Sequence, residues 1–257
     1  MSKKPYAVVT GASSGIGFEI AKQLSKRGYR IVLVARREKK LEKVSQILGT
    51  ESIIITADLS KREECVRLME ETRDLDIEVF VNNAGFGDCG RFYSTDISKE
   101  LEMIDVNVTA VHVLTKLMLH RLKQRTSGGY ILNVASSAGL FPAGPYMATY
   151  YASKAYVTSL TSAVARELKD EQSDIYVGAL CPGPVDTHFN DVANVEFSLK
   201  SISAKKCAIY AVNQMFKRKT IIVPTLRMKM AIFAKRILPR ETMVSITGRQ
   251  QKKKRGY

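Results

Sequence analysis

Residues 6–17 read Tyr6-Ala-Val-Val-Thr-Gly-Ala-Ser-Ser-Gly-Ile-Gly17, and the periodic stretch Phe18-Glu-Ile-Ala-Lys-Gln-Leu24 follows. The first five residues are apolar or β-branched, the pattern of a strand buried on both faces. Gly11, Gly15 and Gly17 permit a tight turn and let the backbone approach a ligand closely. A helix that starts on such a turn offers free amides and the positive end of its dipole to an anion. The spacing is G-x-x-x-G-x-G, and no Gly-Lys-Ser/Thr follows, which excludes a P-loop. Strand, glycine turn and helix together predict a pyrophosphate site.

Outward from this segment, strand-like runs alternate with helical ones. Tyr6–Thr10, Arg30–Ala35, Ser52–Thr56, Glu78–Asn82, Tyr130–Ala135 and Ile175–Leu180 read as buried strands, with a seventh at Thr220–Val223. Residues 15–27, 38–48, 61–73, 98–124 and 150–171 read as helices. Strands separated by helices imply right-handed βαβ units and a parallel sheet covered on both faces. The expected fold is α/β: a single doubly wound Rossmann-type domain with a parallel, seven-stranded sheet. Its expected limits are residues 1–240, with 188–204 as a substrate lid and 205–240 as a basic extension. Residues 241–257 are expected to be a disordered basic tail.

No apolar run is long enough to span a bilayer, and residues 1–6 lack a signal-peptide stretch. The four cysteines, Cys65, Cys89, Cys181 and Cys207, are widely spaced and read as reduced thiols of a cytoplasmic protein. The three histidines are scattered, so no metal site is expected. The net charge of +15 is uneven: residues 1–204 carry +1 and residues 205–257 carry +14.

The second strand ends at Ala35-Arg36-Arg37. An acid at this place serves the ribose hydroxyls of NAD, whereas arginine accommodates a 2′-phosphate. Arg36, with Arg37 assisting, therefore favours NADP(H) over NAD(H), against the nearby Glu38. Asp58, just past the third strand, has two readings: a cap of the next turn, or an acceptor for an adenine amino group.

Tyr150 and Lys154 lie four apart on one helical face, about 5–6 Å between Cβ atoms. A free tyrosine titrates near pH 10, so proton exchange at pH 7 needs a drop of roughly 3 units, or ~4 kcal/mol. One ammonium at about 4 Å supplies up to ~4 kcal/mol at an effective dielectric of about 20. Lys154 alone barely suffices; a second positive charge, such as an oxidised nicotinamide, would make the shift comfortable. Ser137 could then hold the substrate oxygen while Tyr150 passes it a proton.

These residues together resemble the short-chain dehydrogenase/reductase family, over about residues 5–190. The motifs are Thr10-Gly-x-x-x-Gly-x-Gly17, Asp58, Asn82-Asn-Ala-Gly85, Asn107, Ser137, Tyr150-x-x-x-Lys154 and Pro182-Gly-Pro-Val-Asp-Thr187. The resemblance implies that Tyr150 is the general acid in reduction and the base in oxidation. Lys154 would lower its pKa and hold the nicotinamide ribose. Ser137, thirteen residues before the tyrosine as is usual in the family, would orient the carbonyl. Asn107 would help hold a water linking Lys154 to solvent. Asn83, Ala84 and Gly85 would line the adenosine, and Thr187 would contact the carboxamide. Ser13, Ser14 and Ile16 of the glycine turn, Leu59 beside Asp58, and Pro182, Gly183 and Val185 complete the implied cofactor site. Tyr151 is read as packing. His112 and His120 are read as core or surface residues, and His188 as a possible substrate contact.

The substrate is a small-molecule carbonyl or alcohol, with a lipid-like compound as one option, and the sequence names none. Along 224–239, Leu226, Met230, Phe233 and Ile237 form a helical stripe flanked by Arg227, Lys229, Lys235 and Arg236. Two readings stand: packing on the sheet or on another subunit, which is expected, or peripheral contact with anionic lipid. No motif supports a specific nucleic-acid site. The resemblance implies a homodimer or homotetramer, paired through helices 98–124 and 150–171.

Overall fold

A computed structural model of the chain describes residues 5–187, 201–235 and 237–253. Lid residues 188–200 with His188, residue Arg236 of the basic stretch, and 254–257 lie outside the described residues. In chain order the first half comprises β1 (Tyr6–Thr10), α1 (Gly15–Lys26), β2 (Arg30–Ala35), α2 (Glu38–Ile47), β3 (Ser52–Thr56), α3 (Arg62–Glu71) and β4 (Ile77–Asn82). Next come α4 (Ile97–Ile104), α5 (Val111–Lys123), β5 (Gly129–Val134), α6 (Ala148–Asp170) and β6 (Ile175–Leu180). The chain continues through β7 (Val185–Asp186), β8 (Ile202–Ser203), α7 (Ala204–Phe216), β9 (Ile221–Ile222), α8 (Leu226–Ala234) and α9 (Arg240–Lys253).

Seven strands form one sheet in the order β3-β2-β1-β4-β5-β6-β9, with every pairing parallel. The period-2 alternation of β1 divides the core. Ala7 and Val9 face Ile20 and Leu24 of α1, Leu41 of α2 and Met215 of α7. Tyr6 and Val8 face Leu68 of α3, Met118 and Leu122 of α5 and Leu168 of α6. Each such fully buried aliphatic side chain contributes about 1.5–3 kcal/mol. The sheet runs outward from β1 to β2 and β3, then returns to β4 on the other side of β1. That reversal opens a crevice beyond the carboxyl ends of β1 and β4, where ligands bind in open α/β sheets.

Two elements depart from the sequence reading. The helix expected over 98–124 is α4 and α5 joined by a π-helical turn, Asp105–Ala110. The segment expected to be a disordered tail contains α9, held by a buried face of Met243, Thr247 and Gln251. No helix among the described residues is long and apolar enough to cross a membrane.

Candidate active site

A cleft of about 1140 Å³ occupies the crevice and runs from the glycine turn to Tyr150 and Lys154. At its first end Gly11 and Gly15 have φ of +63° and +59°, values that favour glycine. A Cβ on Gly17 would lie 2.3 Å from Asn83 Nδ2, so that position is closed to larger residues. Asn83 Nδ2 donates to the carbonyls of Thr10 (3.0 Å) and Gly11 (3.2 Å). The Thr10 hydroxyl accepts from the amides of Asn83 and Ala84. Thr10, which the sequence reading assigned no site role, thus ties the ends of β1 and β4 together. The helical hydrogen bonding of α1 begins with Phe18 N donating to Ser14 O, and the Ser14 side chain caps nothing. The preceding amides of the first turn remain as donors for an anion, and Ser13, Ser14, Gly15 and Ile16 line the cleft.

Arg36, Arg37 and Lys40 line the cleft at the end of β2; the sequence reading missed Lys40, one helical turn beyond Arg36. Arg36 pairs with Glu102 at 3.0 Å, with 62% and 40% of the two side chains exposed, and such a pair is weak enough to exchange for another anion. Asp58 Oδ1 accepts from both the amide and the hydroxyl of Ser60. It therefore caps the turn after β3 while also lining the cleft beside Leu59.

At the other end, the π-helical turn places buried Asn107 against two elements. Its Nδ2 donates to Phe86 O (2.9 Å) and Ser153 Oγ (3.1 Å), and its Oδ1 accepts from Phe86 N (3.1 Å). Ser153 in turn donates to the carbonyl of Tyr150. Lys154 Nζ donates to Val134 O at 3.0 Å. A Cβ on Gly85 would lie 2.7 Å from Asn107 Oδ1 and 3.2 Å from Lys154 Nζ, so the glycine makes room for both.

The structure joins Tyr150 to Ser136 rather than to Ser137, since the Ser136 hydroxyl is hydrogen-bonded to that of Tyr150. β5 ends at Val134, and the extended Ser136 then starts a short 3-10 turn over Ser137–Leu140, accepting from Ala138 N. The strand alternation stops before the two serines, so the thirteen-residue count misplaces the hydroxyl by one position. Ser137 still lines the cleft, and its amide donates to Pro182 O.

The electrostatics also differ from the expectation. Burial pushes the Tyr150 phenol up to about 12, with Ser136 working against the rise, and Lys154 is absent from the causes. Burial likewise pushes Lys154 down to about 8. Desolvation, which sequence spacing does not reveal, outweighs the attraction between the two groups.

Pro182, Gly183, Val185 and Thr187 line the same wall of the cleft. Neither His112 nor His120 does; His112 Nδ1 is 2.7 Å from the Tyr156 hydroxyl on the outer surface. Among the described residues no cluster of His, Cys, Asp and Glu is placed to hold a metal ion.

The far wall comes from parts of the chain with no expected role in the site. Met228 of α8 and Thr247, Gln250 and Gln251 of α9 line it. Tyr151, read as packing, also lines the cleft, and its hydroxyl accepts from Gln251 Nε2 at 2.7 Å. The stripe on α8 is not packed on the sheet: Leu226, Met230, Phe233 and Ile237 are 59–73% exposed. Met228 and Ile232 turn inward instead, against the cluster around Val157 and Ala179.

A parallel α/β sheet with a glycine cradle, and a buried serine–tyrosine–lysine group beyond it, define a nucleotide-dependent oxidoreductase of the dehydrogenase class. Residues 5–196 match the short chain dehydrogenase family. The chain belongs to that family. It is 35% identical over 219 residues to an uncharacterized oxidoreductase of Staphylococcus epidermidis, covering 82% of this chain and 92% of the relative. It is 35% identical over 201 residues to a very-long-chain 3-oxoacyl-CoA reductase of Anas platyrhynchos, covering 75% of this chain but only 63% of that protein. Among solved structures it resembles a short-chain dehydrogenase from Sphingobium yanoikuyae in complex with NADPH, with a TM-score of 0.80 and 28% identity, over 91% of this chain and 94% of the other. A Burkholderia phymatum short-chain dehydrogenase/reductase in complex with NAD shares the fold, with a TM-score of 0.82 and 23% identity over 92% and 95% of the two chains.

Proposed function

We propose that this chain is an NADP(H)-dependent oxidoreductase that interconverts a carbonyl and a secondary alcohol, with Tyr150 as the proton donor and acceptor. The observation that carries this reading is the buried group of Asn107, Ser136, Tyr150 and Lys154 at the inner end of a cleft whose outer end is a glycine cradle. The cradle fits a dinucleotide: the free first-turn amides of α1 suit the pyrophosphate, and Arg36, Arg37 and Lys40 suit a 2′-phosphate. When bound, the cofactor supplies or accepts the hydride.

The remaining chemistry falls to the protein. With its pKa near 12, Tyr150 is protonated throughout the neutral range, which suits it to protonate a carbonyl oxygen during reduction. Ser136, already bonded to the tyrosine, holds that oxygen in place of Ser137. Lys154, with a pKa near 8, is charged for much of the neutral range and stabilises negative charge developing on the phenol. Asn107 positions Lys154 and Tyr150 by fixing Ser153 and the Phe86 backbone.

The 3-oxoacyl-CoA reductase relatives support an acyl thioester among the substrates. Exposed Leu101, Ile104 and Tyr156, on the helices expected to pair, support a homodimer or homotetramer. Four buried free thiols suit the reducing cytoplasm.

The test is a carbonyl panel that includes 3-oxoacyl thioesters, followed by oxidation of NADPH and of NADH. Tyr150→Phe is expected to abolish turnover while NADPH affinity stays within about 3-fold. Ser136→Ala is expected to lose about 10²–10³-fold in kcat, and Ser137→Ala less than about 10-fold. Normal turnover by Tyr150→Phe would overturn the mechanism, and the reverse order of the two serine variants would overturn the assignment of Ser136.

A further inference from the structure

Gln251 is 3% exposed, and its Oε1 has no hydrogen-bond partner among the described residues. Its Nε2 is committed to the Tyr151 hydroxyl at 2.7 Å. Both side chains line the cleft. An orphaned buried carbonyl costs stability, and native structures keep few of them. This one does not belong to a loose end of chain. One helical turn earlier the Thr247 hydroxyl donates to Ala143 O at 2.9 Å, and Met243 is buried a turn before that.

The Tyr151 ring stands edge-on to that of Tyr150, with centroids 6.4 Å apart. The orphaned acceptor and the reacting centre therefore sit on adjoining stretches of one cavity wall. Tyr151 accepts from Gln251, and among the described residues its own O–H proton has no acceptor. The pair thus offers the cleft one acceptor, Gln251 Oε1, and one donor, the Tyr151 O–H. Neither group carries charge, and a carboxylate would set its lone pairs against Oε1. The matching partner is a neutral group that both donates and accepts.

We infer that Gln251 and Tyr151 form a polar substrate subsite that takes a secondary amide or a hydroxyl carried by the substrate away from its reacting carbonyl. This deepens the carbonyl-reduction reading, on which it rests for the position of the reacting end.

Equilibrium binding to enzyme saturated with NADP⁺ tests the subsite without turnover, because a ketone and the oxidised cofactor do not react. Two isosteric pairs serve as probes. One is the N-acetylcysteamine thioester of 3-oxobutanoate against its S-pentyl thioester; the other is the S-(2-hydroxyethyl) against the S-propyl thioester. Calorimetry is expected to show at least one polar probe binding about 10-fold more tightly than its apolar partner. Gln251→Leu and Tyr151→Phe are each expected to reduce that preference below about 3-fold, with the apolar probes nearly unchanged. Tyr151→Phe keeps the core ring and serves if Gln251→Leu fails to fold. Equal binding within both pairs, or a preference that survives both substitutions, overturns the subsite. A preserved preference in an enzyme that oxidises no NADPH would count against the hydride-transfer reading instead.

Discussion

Lys154 is a buried cation held by a single backbone carbonyl, Val134 O. Its pKa is lowered from 10.5 to about 8 by desolvation. Between those values the unfolded chain binds more protons than the native one, so this residue's contribution to stability rises with pH through that window. Below pH 8 both states are charged and the burial penalty is felt in full. Lys154→Met is therefore expected to abolish turnover and yet to gain stability relative to wild type at pH 6.5. That gain should shrink by roughly 2–3 kcal/mol as the pH approaches 10.5, at about 1.4 kcal/mol per pKa unit. Urea denaturation of both proteins at several pH values measures it, and a difference independent of pH would refute the assignment. The four-residue step from Tyr150 to Lys154 was legible because the helix repeat is fixed. The Ser136–Tyr150 bond was not, because it depends on where β5 stops and the 3-10 turn begins.

At the scale of elements, α9 shows where a polar sequence conceals a packed face. Two of its three buried positions, Thr247 and Gln251, are polar, and the run Lys252-Lys-Lys-Arg255 follows at once. Hydropathy therefore reads the segment as solvated, although Met243, Thr247 and Gln251 recur at four-residue steps. Met243→Ala is expected to cost about 2–4 kcal/mol, the range for truncating a buried methionine; a disordered tail would lose nothing. Thermal or urea unfolding distinguishes the two. The π-helical turn at Asp105–Ala110 was hidden for a different reason: the apolar period continues across it, and one extra residue in the winding leaves little trace in the pattern. The strands and the first glycine turn were legible almost to the residue, since β-branched runs bounded by glycine admit few other structures.

Over the whole molecule, charge and topology act together. The glycine turn, Asn83 and Tyr150 come from the carboxyl ends of successive parallel strands, an arrangement the alternating βα pattern implies by itself. The wall opposite comes from residues 141–151, 228 and 247–251, which nothing short of the folded chain brings together. The excess of positive charge, +15 overall and concentrated after residue 204, attracts an anionic cofactor at long range. The association rate of NADPH, followed by stopped-flow fluorescence, is expected to fall severalfold between 50 and 500 mM salt, with a much smaller change in dissociation. A rate indifferent to salt would show that the charge lies too far from the cleft to steer, since screening acts over about 10 Å at 0.1 M.

The cleft's two walls have separate covalent origins. One is anchored in the strand ends that carry the proton-handling groups; the other is a helix beginning at Arg240, within the last twenty residues of the chain. Substrate preference can therefore be rewritten at the carboxyl terminus without disturbing the reaction. Recombination or gene fusion at that end would exchange what the enzyme recognises, while what it does to a carbonyl passes on unchanged.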